Sequence, residues 1–177
     1  MKKPRKGCLQ VYTGNGKGKT TASLGLSLRA VGHGHSVIIL MFMKGWPDYG
    51  ELRAVRNYLP GVTIEQYGLE TFVDRENPSP EDRRLAREGI KRAVEVVSGG
   101  QYDLVILDEL NVALDYNLVT LEQVLEIISL RPEHVELVIT GRAAHDKVLE
   151  MADLVTEVTL VKHPFYQGVE AREGIEF

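Results

Sequence analysis

A chain of 177 residues, 44% hydrophobic and 26% charged, has the size and make-up of one globular domain over residues 1–177, with little room for a second. Its formal net charge of −4 gives no general attraction to nucleic acid or to an anionic membrane. One cysteine, Cys8, excludes an intramolecular disulfide, and the longest apolar run, residues 37–43, is too short to span a bilayer, so no membrane association is expected and the cytoplasm is the expected compartment.

The basic start, Lys2, Lys3, Arg5 and Lys6, reads as a solvated terminus rather than a signal peptide, because it runs into a strand and not an apolar stretch with a cleavage site. Residues 8–13 form a short strand pattern that enters a glycine-rich turn. A helix follows over 19–31, with Leu24, Leu28 and Val31 at helical spacing, and Gly32 and Gly34 stop it. Residues 37–43 are a continuous apolar run, the pattern of a strand covered on both faces. A short helix over 51–59 ends at Pro60-Gly61, and 62–67 alternates as a strand. Residues 68–80 are polar and aperiodic, the character of a functional lid. Ser79-Pro80 opens a helix reaching about residue 97. Strands at 103–107, 135–140 and 154–161 alternate with helices at 121–130 and 144–151; the tail from 162 has no strong pattern. This alternation predicts a doubly wound α/β fold, a mostly parallel sheet with helices on both faces.

The turn after the first strand carries the chemistry. Gly14-Asn15-Gly16-Lys17-Gly18-Lys19-Thr20 misses the usual phosphate-loop spelling by one residue, since Thr13 stands where the first glycine belongs. Alternate glycines allow backbone amides to turn toward phosphate oxygens, and the loop opens into a helix whose free N-terminal amides favour an anion. Lys19 supplies a point charge, and the Thr20 hydroxyl is placed for Mg²⁺. Asp108 and Glu109 close a buried strand, the place of an acidic pair that holds Mg²⁺ or its water shell. Ligands of open α/β sheets gather at the carboxyl ends of strands, so Lys44 and Arg142, which also end strands, are candidates for the same rim; plain surface charge accounts for them as well. The five histidines lack zinc spacing, and no motif presents a serine or cysteine nucleophile. Trp46, Tyr49, Tyr67 and Phe72 either line a pocket for a flat ligand or pack a lid.

The run from Val11 through Thr20-Thr21, followed by Arg29-Ala30-Val31-Gly32-His33-Gly34, resembles the start of the P-loop-type cob(I)alamin (corrinoid) adenosyltransferases. Phe42-Met43-Lys44-Gly45, Leu107-Asp108-Glu109-Leu110, Thr140-Gly141-Arg142 with His145, Ala152-Asp153, and the tail Val161-Lys162-His163-Pro164-Phe165 through Gly168-Val169, Ala171 and Gly174-Ile175 carry the likeness along nearly the whole chain.

The resemblance implies a P-loop NTPase (RecA-like) fold. It also implies transfer of the 5′-deoxyadenosyl group of ATP to the Co(I) of a corrinoid, cob(I)alamin or cob(I)yrinic acid a,c-diamide, with release of triphosphate. By carry-over, residues Gly14 to Thr21 and Arg142 bind ATP, and Lys19, Thr20 and Glu109 act in the reaction. Thr20 and Glu109, with Asp108, hold Mg²⁺. The partners it implies are ATP, a corrinoid, an electron donor such as a reduced flavoprotein, and a second copy in a homodimer. Two departures stand out. The family's N-terminal helical cover has no counterpart before the first strand, which leaves the 68–80 segment or a partner subunit to cover the site. The family's Gly-Phe-Thr-Trp run is replaced by Gly68-Leu69-Glu70-Thr71-Phe72, with Phe72 as the substitute aromatic for contacting the corrinoid. The alternatives are a nucleoside or small-molecule kinase on the same fold, for which Arg75, Arg83 and Arg84 could serve as lid arginines, and a non-catalytic ATP- or corrinoid-binding regulator.

Overall fold

A computed structural model describes residues 6–176. Lys6 is exposed; Lys2, Lys3 and Arg5 of the basic start lie outside the described residues. The strands are β1 (Leu9–Thr13), β2 (Val37–Phe42), β3 (Val62–Tyr67), β4 (Leu104–Asp108), β5 (Glu136–Thr140) and β6 (Leu154–Glu157). The helices are α1 (Lys19–Gly32), α2 (Gly50–Tyr58), α3 (Pro80–Gly99), α4 (Leu110–Asp115), α5 (Leu121–Ser129) and α6 (Asp146–Met151), followed by one 3₁₀ turn at Pro164–Gln167. The six strands form one sheet in the order β3-β2-β4-β5-β1-β6, with every pairing parallel.

Alternation along the central strands builds two cores. Ile38, Leu40 and Phe42 of β2, Val105 and Leu107 of β4, and Leu137 and Ile139 of β5 face one way and meet α3, α4 and α5. Val37, Ile39 and Met41, with Leu104, Ile106 and Val138, face the other way and meet α1 and α2. Burial on both faces explains why β2 and β4 read as unbroken apolar runs. Helices therefore cover both sides of an all-parallel sheet, as the order of elements predicts.

Local signals set the ends of the elements. Ser79 caps α3, accepting from the Asp82 amide at 3.1 Å while the Asp82 carboxylate accepts from the Ser79 amide at 2.9 Å. This reciprocal capping box, with Pro80 next in line, stops the 68–79 segment abruptly. Thr120 and Gln123 do the same for α5.

The structure departs from the sequence reading in four places. In α1 the buried face is Lys19, Ser23, Ser27 and Ala30, while Leu28 is 59% exposed. Each serine hydroxyl donates back to a carbonyl one turn earlier, Ser23 to Thr20 and Ser27 to Ser23. Small, internally satisfied side chains suit a helix whose first turn must lie close over the sheet. Helix α4 falls where no element is expected, because six residues carry too little periodicity. Strand β6 ends at Glu157 rather than 161, and residues 158–159 instead run against the glycine loop. The segment from 144 to 151 becomes helical only at Asp146, with His145 accepting from the Lys147 amide at the cap.

Candidate functional site

The carboxyl ends of β1, β4 and β5 and the turn after β2 converge at one edge of the sheet. At the centre is the carboxylate of Asp108, fully buried at the end of β4. It accepts from Thr140 Oγ1 at 2.7 Å, from Thr20 Oγ1 at 3.0 and 3.2 Å, and from Lys44 Nζ at 2.7 Å. Thr140 Oγ1 in turn accepts from the Glu109 amide at 3.0 Å. Three segments distant in sequence are thereby pinned to one carboxylate. The register places them: Tyr12 of β1 lies beside Thr140 of β5, and Met41 of β2 beside Asp108 of β4.

Three chain bends aim the side chains. Met43, Glu109 and Ala143 have φ of 59°, 61° and 51°, in the left-handed region that non-glycine residues rarely enter. Each lies at or beside a residue of the rim: Lys44, Glu109 itself and Arg142. Such strain persists only where the surroundings over-determine it, and it clusters at functional sites. A backbone contact supports the first bend. A Cβ on Gly45 would lie 2.1 Å from the Gly68 carbonyl oxygen, and one on Gly68 would lie 2.3 Å from the Lys44 amide nitrogen. The turns after β2 and β3 are thus pressed backbone to backbone, which holds Lys44 over Asp108.

The glycine loop is built for two different reasons. Gly14, at φ 91°, and Gly16 lie against the chain leaving β6, where an added Cβ would meet the Val158 carbonyl oxygen at 2.6 and 2.7 Å. Gly18, at φ 123°, has open space around it and is required by backbone conformation alone, as the residue that starts α1. The Gly16 amide donates to the Val158 carbonyl at 2.7 Å. Lys19, only 6% exposed, folds over the loop and donates to the carbonyls of Gly14 and Gly16 at 2.6 and 2.8 Å. Asn15, Lys17 and Thr21 are exposed. Lys17 turns outward to the tail, donating to the Ile175 carbonyl at 2.9 Å and the Glu176 carboxylate at 2.8 Å. The returning tail borders an open groove of about 400 Å³ lined by Lys17, Lys162, His163 and Arg172, among other residues. A contact spanning 158 residues leaves no local trace in a sequence.

The electrostatics follow from burial. Glu109 lies beside Asp108, and burial first, then that neighbour, raises its pKa against the pull of Lys44, Lys19 and Arg142. Burial alone would push the Lys44 ammonium down, but Asp108 and Glu109 outweigh it and hold it above the ordinary lysine range. Burial lowers Lys19, with Arg142 adding to the shift against Glu109 and Asp108. Arg142 is exposed, within electrostatic reach of both Glu109 and Lys19. Burial also raises the Tyr49 phenol, which feels Lys44, Glu51, Asp108 and Glu109 and so stands at this rim; its ring meets Trp46 edge-on at 5.4 Å.

The remaining candidates separate. Tyr67 packs on Phe42 in the core, whereas Phe72 stands fully exposed on the 68–79 segment. The three arginines that could serve a kinase lid are engaged elsewhere: Arg75 with Asp115 and the Tyr116 ring, Arg83 with the Asn117 carbonyl, and Arg84 with Glu81 and Glu88. Lys44 and Thr140 are the residues that sequence reasoning undervalued or missed. Lys44 is legible as a strand-end charge and both residues fall in runs that carry the family resemblance, but nothing in those runs points to their bonds with Asp108.

Residues 5–177 match the family model described as ATP:corrinoid adenosyltransferase BtuR/CobO/CobP. The chain belongs to this family. Among its relatives, the corrinoid adenosyltransferase of Escherichia coli K12 is 40% identical over 174 residues, covering 97% of this chain and 86% of that protein. The corrinoid adenosyltransferase of Pseudomonas aeruginosa is 38% identical over 172 residues, covering 97% and 84%. Among solved structures, the flagellar accessory protein FlaH of Methanocaldococcus jannaschii superposes with a TM-score of 0.59 at 11% identity, covering 86% of this chain and 71% of that one, so the P-loop NTPase-like fold is shared. For this family member, the cluster around Asp108 and the loop closed by Lys19 form the candidate active site.

The raised Glu109 carboxyl gives a prediction with a definite sign. A folded-state pKa above the unfolded one stabilises fully below the ordinary carboxylate range, about pH 4, and that contribution is lost as pH rises through the raised value. Glu109→Gln, melted in a chelator without nucleotide, should therefore unfold at a higher temperature than the unsubstituted protein at neutral pH, with the difference closing near pH 4. A variant that melts lower at neutral pH contradicts this assignment.

Proposed function

We propose that the protein transfers the 5′-deoxyadenosyl group of ATP to the Co(I) centre of a corrinoid and releases inorganic triphosphate. Co(I) attacks the 5′ carbon, the bond from that carbon to the α-phosphate oxygen breaks, and its electron pair leaves on the triphosphate. Cobalt becomes formally Co(III) as the cobalt–carbon bond forms. The observation that carries this reading is the site itself, a glycine loop, a lysine folded over it and a cationic–acidic cluster, in a chain of the ATP:corrinoid adenosyltransferase family. In this reading the nucleophile is the cobalt.

In this reading the loop from Gly14 to Thr21 and Lys19 hold the triphosphate, with Arg142 reaching from the rim. Lys19 exchanges its two loop carbonyls for phosphate oxygens. The leaving group gathers negative charge as the carbon–oxygen bond breaks, and preorganised donors stabilise that charge more than they stabilise ground-state ATP.

Thr20, Asp108 and Glu109 offer only oxygen donors, which suits a hard divalent cation. No group of three or more His, Cys, Asp or Glu residues able to hold a metal occurs among the described residues. In this reading Mg²⁺ is held by one or two protein oxygens and completed by phosphates and water. When bound, Mg²⁺ would neutralise charge on the departing phosphates. The Glu109 carboxylate takes part in no hydrogen bond among the described residues, while Asp108 is already shared among Thr20, Thr140 and Lys44. Glu109 is therefore open to ligation as it stands, whereas Asp108 can ligate only where Lys44 releases it.

Phe72 is 104% exposed, and an aromatic side chain held in water is suited to meet a large flat ligand. It serves here as a corrinoid contact on the 68–79 segment. A homodimer belongs to the same reading: β6 pairs only with β1 among the described residues, and its Leu154 and Val155 are exposed at the sheet edge. Co(I) demands a strong reductant, so a reduced flavoprotein as electron donor and a cytoplasmic setting complete it. No described helix is long and apolar enough to cross a membrane.

The phosphate product tests the reaction class. With ATP and a reduced corrinoid, chromatography should show triphosphate and no ADP, and Lys19→Ala should lower kcat/KM at least about 100-fold with circular dichroism unchanged. ADP as product, or a folded Lys19→Ala variant turning over normally, overturns the reading. Phe72→Ala should raise the KM for the corrinoid and leave that for ATP in place; equal effects on both remove Phe72 from the corrinoid contact.

A further inference from the structure

Lys44 sits where a cation is expected to sit. Its Nζ lies 2.7 Å from Asp108 Oδ2 and 3.1 Å from Thr20 Oγ1, and it is a donor to both. Those two oxygens belong to the donor set that the proposed function assigns to Mg²⁺. The side chain is 19% exposed and the Asp108 carboxylate is fully buried, so the pair is shielded from solvent screening. The position is imposed by the backbone: Met43 is bent into the left-handed region, and Gly45 is pressed against Gly68. Lys44 cannot drift from Asp108 by a simple shift of its turn; only the side chain can swing.

We propose that the Lys44 ammonium and Mg²⁺ compete for the same acidic pocket, so that Lys44 neutralises Asp108 until MgATP arrives and then swings off it toward the incoming phosphates. The inference rests on the metal assignment made above. An ammonium and a divalent ion cannot share Thr20 Oγ1 and Asp108 at these distances without strong repulsion. A phosphate group entering with the metal offers the ammonium a new anion, so the exchange keeps every charge paired. Mg²⁺ without nucleotide offers no such partner, and the lysine excludes it. Lys44 is thus a positioning residue that makes metal binding conditional on nucleotide.

Metal binding itself gives the test, separate from turnover. Mn²⁺ binding is followed by electron paramagnetic resonance in the full-length protein, with and without ATP. Unsubstituted protein should bind Mn²⁺ weakly alone and tightly with ATP. Lys44→Met, which keeps the length of the stem and removes the charge, should bind Mn²⁺ alone at least tenfold more tightly, and Mg²⁺ alone should raise its melting temperature but not that of the unsubstituted protein. Lys44→Gln keeps a donor to Asp108 without the charge and serves in the event that Lys44→Met does not fold. Unchanged or weaker Mn²⁺ affinity in the folded variant overturns the competition. Thr20→Ala and Glu109→Gln separate the two readings: if both still bind Mn²⁺ with ATP as the unsubstituted protein does, the metal assignment fails; if they lose it while Lys44→Met shows no gain, only the competition fails.

Discussion

The Asp108 carboxylate is the interaction on which the rest of the structure depends. It is fully buried, and a buried charge with no partner costs about 3–5 kcal/mol. Here it is satisfied from three directions, by Thr20 at the start of α1, by Thr140 at the end of β5 and by Lys44 beyond β2. Each bond ties a different loop to the same point. The glycine loop, the rim after β5 and the turn after β2 are therefore not independent parts: a change in one is transmitted to the others through a single carboxylate. This arrangement also places opposite charges where a triphosphate and its cation would enter.

The chemistry follows from what the site contains and what it does not. A phosphoryl-transfer enzyme needs groups to orient an acceptor and cations to cover the γ-phosphate. The arginines nearest to such a lid are committed to α3, to α4 and to the chain after it. What remains is a glycine loop with Lys19 folded over it and an exposed aromatic, Phe72, on the segment leading into α3. Membership of the ATP:corrinoid adenosyltransferase family supplies the reaction class; in the proposed mechanism the three phosphates depart together and the substrate metal is the nucleophile.

The sequence made local chemistry legible and left long-range geometry hidden. The 37–43 and 103–107 runs announce buried strands, which the structure places at Val37–Phe42 and Leu104–Asp108, because continuous apolarity has few other uses at that length. The capping box at Ser79 and the glycine loop are equally plain, since their signals lie within a few residues. Asp108 and Glu109 stand out as acids closing an apolar strand. The role of Lys44 was not legible, because it depends on β2 and β4 being neighbours, which only the strand order 3-2-4-5-1-6 reveals. The bond from Thr140 to Asp108 was hidden for the same reason, since it depends on β4 and β5 being neighbours. Leu28 misled the reading of α1: helical spacing marks an apolar stripe, but the close approach of α1 to the sheet selected serines and alanine for the buried face. The glycines of the loop were read through phosphate alone, whereas Gly14 and Gly16 are also required by the chain leaving β6. The contact of Lys17 with the tail could not have been foreseen from either segment.

The most direct test of the central claim is an anaerobic absorption spectrum. Purified protein is mixed with chemically reduced cob(I)alamin and MgATP, and the corrinoid bands are followed before and after illumination. Conversion to an alkylcobalt spectrum that requires ATP and is lost under light is expected, because light splits a cobalt–carbon bond homolytically and leaves Co(II). A Co(I) spectrum that persists in the presence of bound ATP, with either corrinoid substrate, would contradict it.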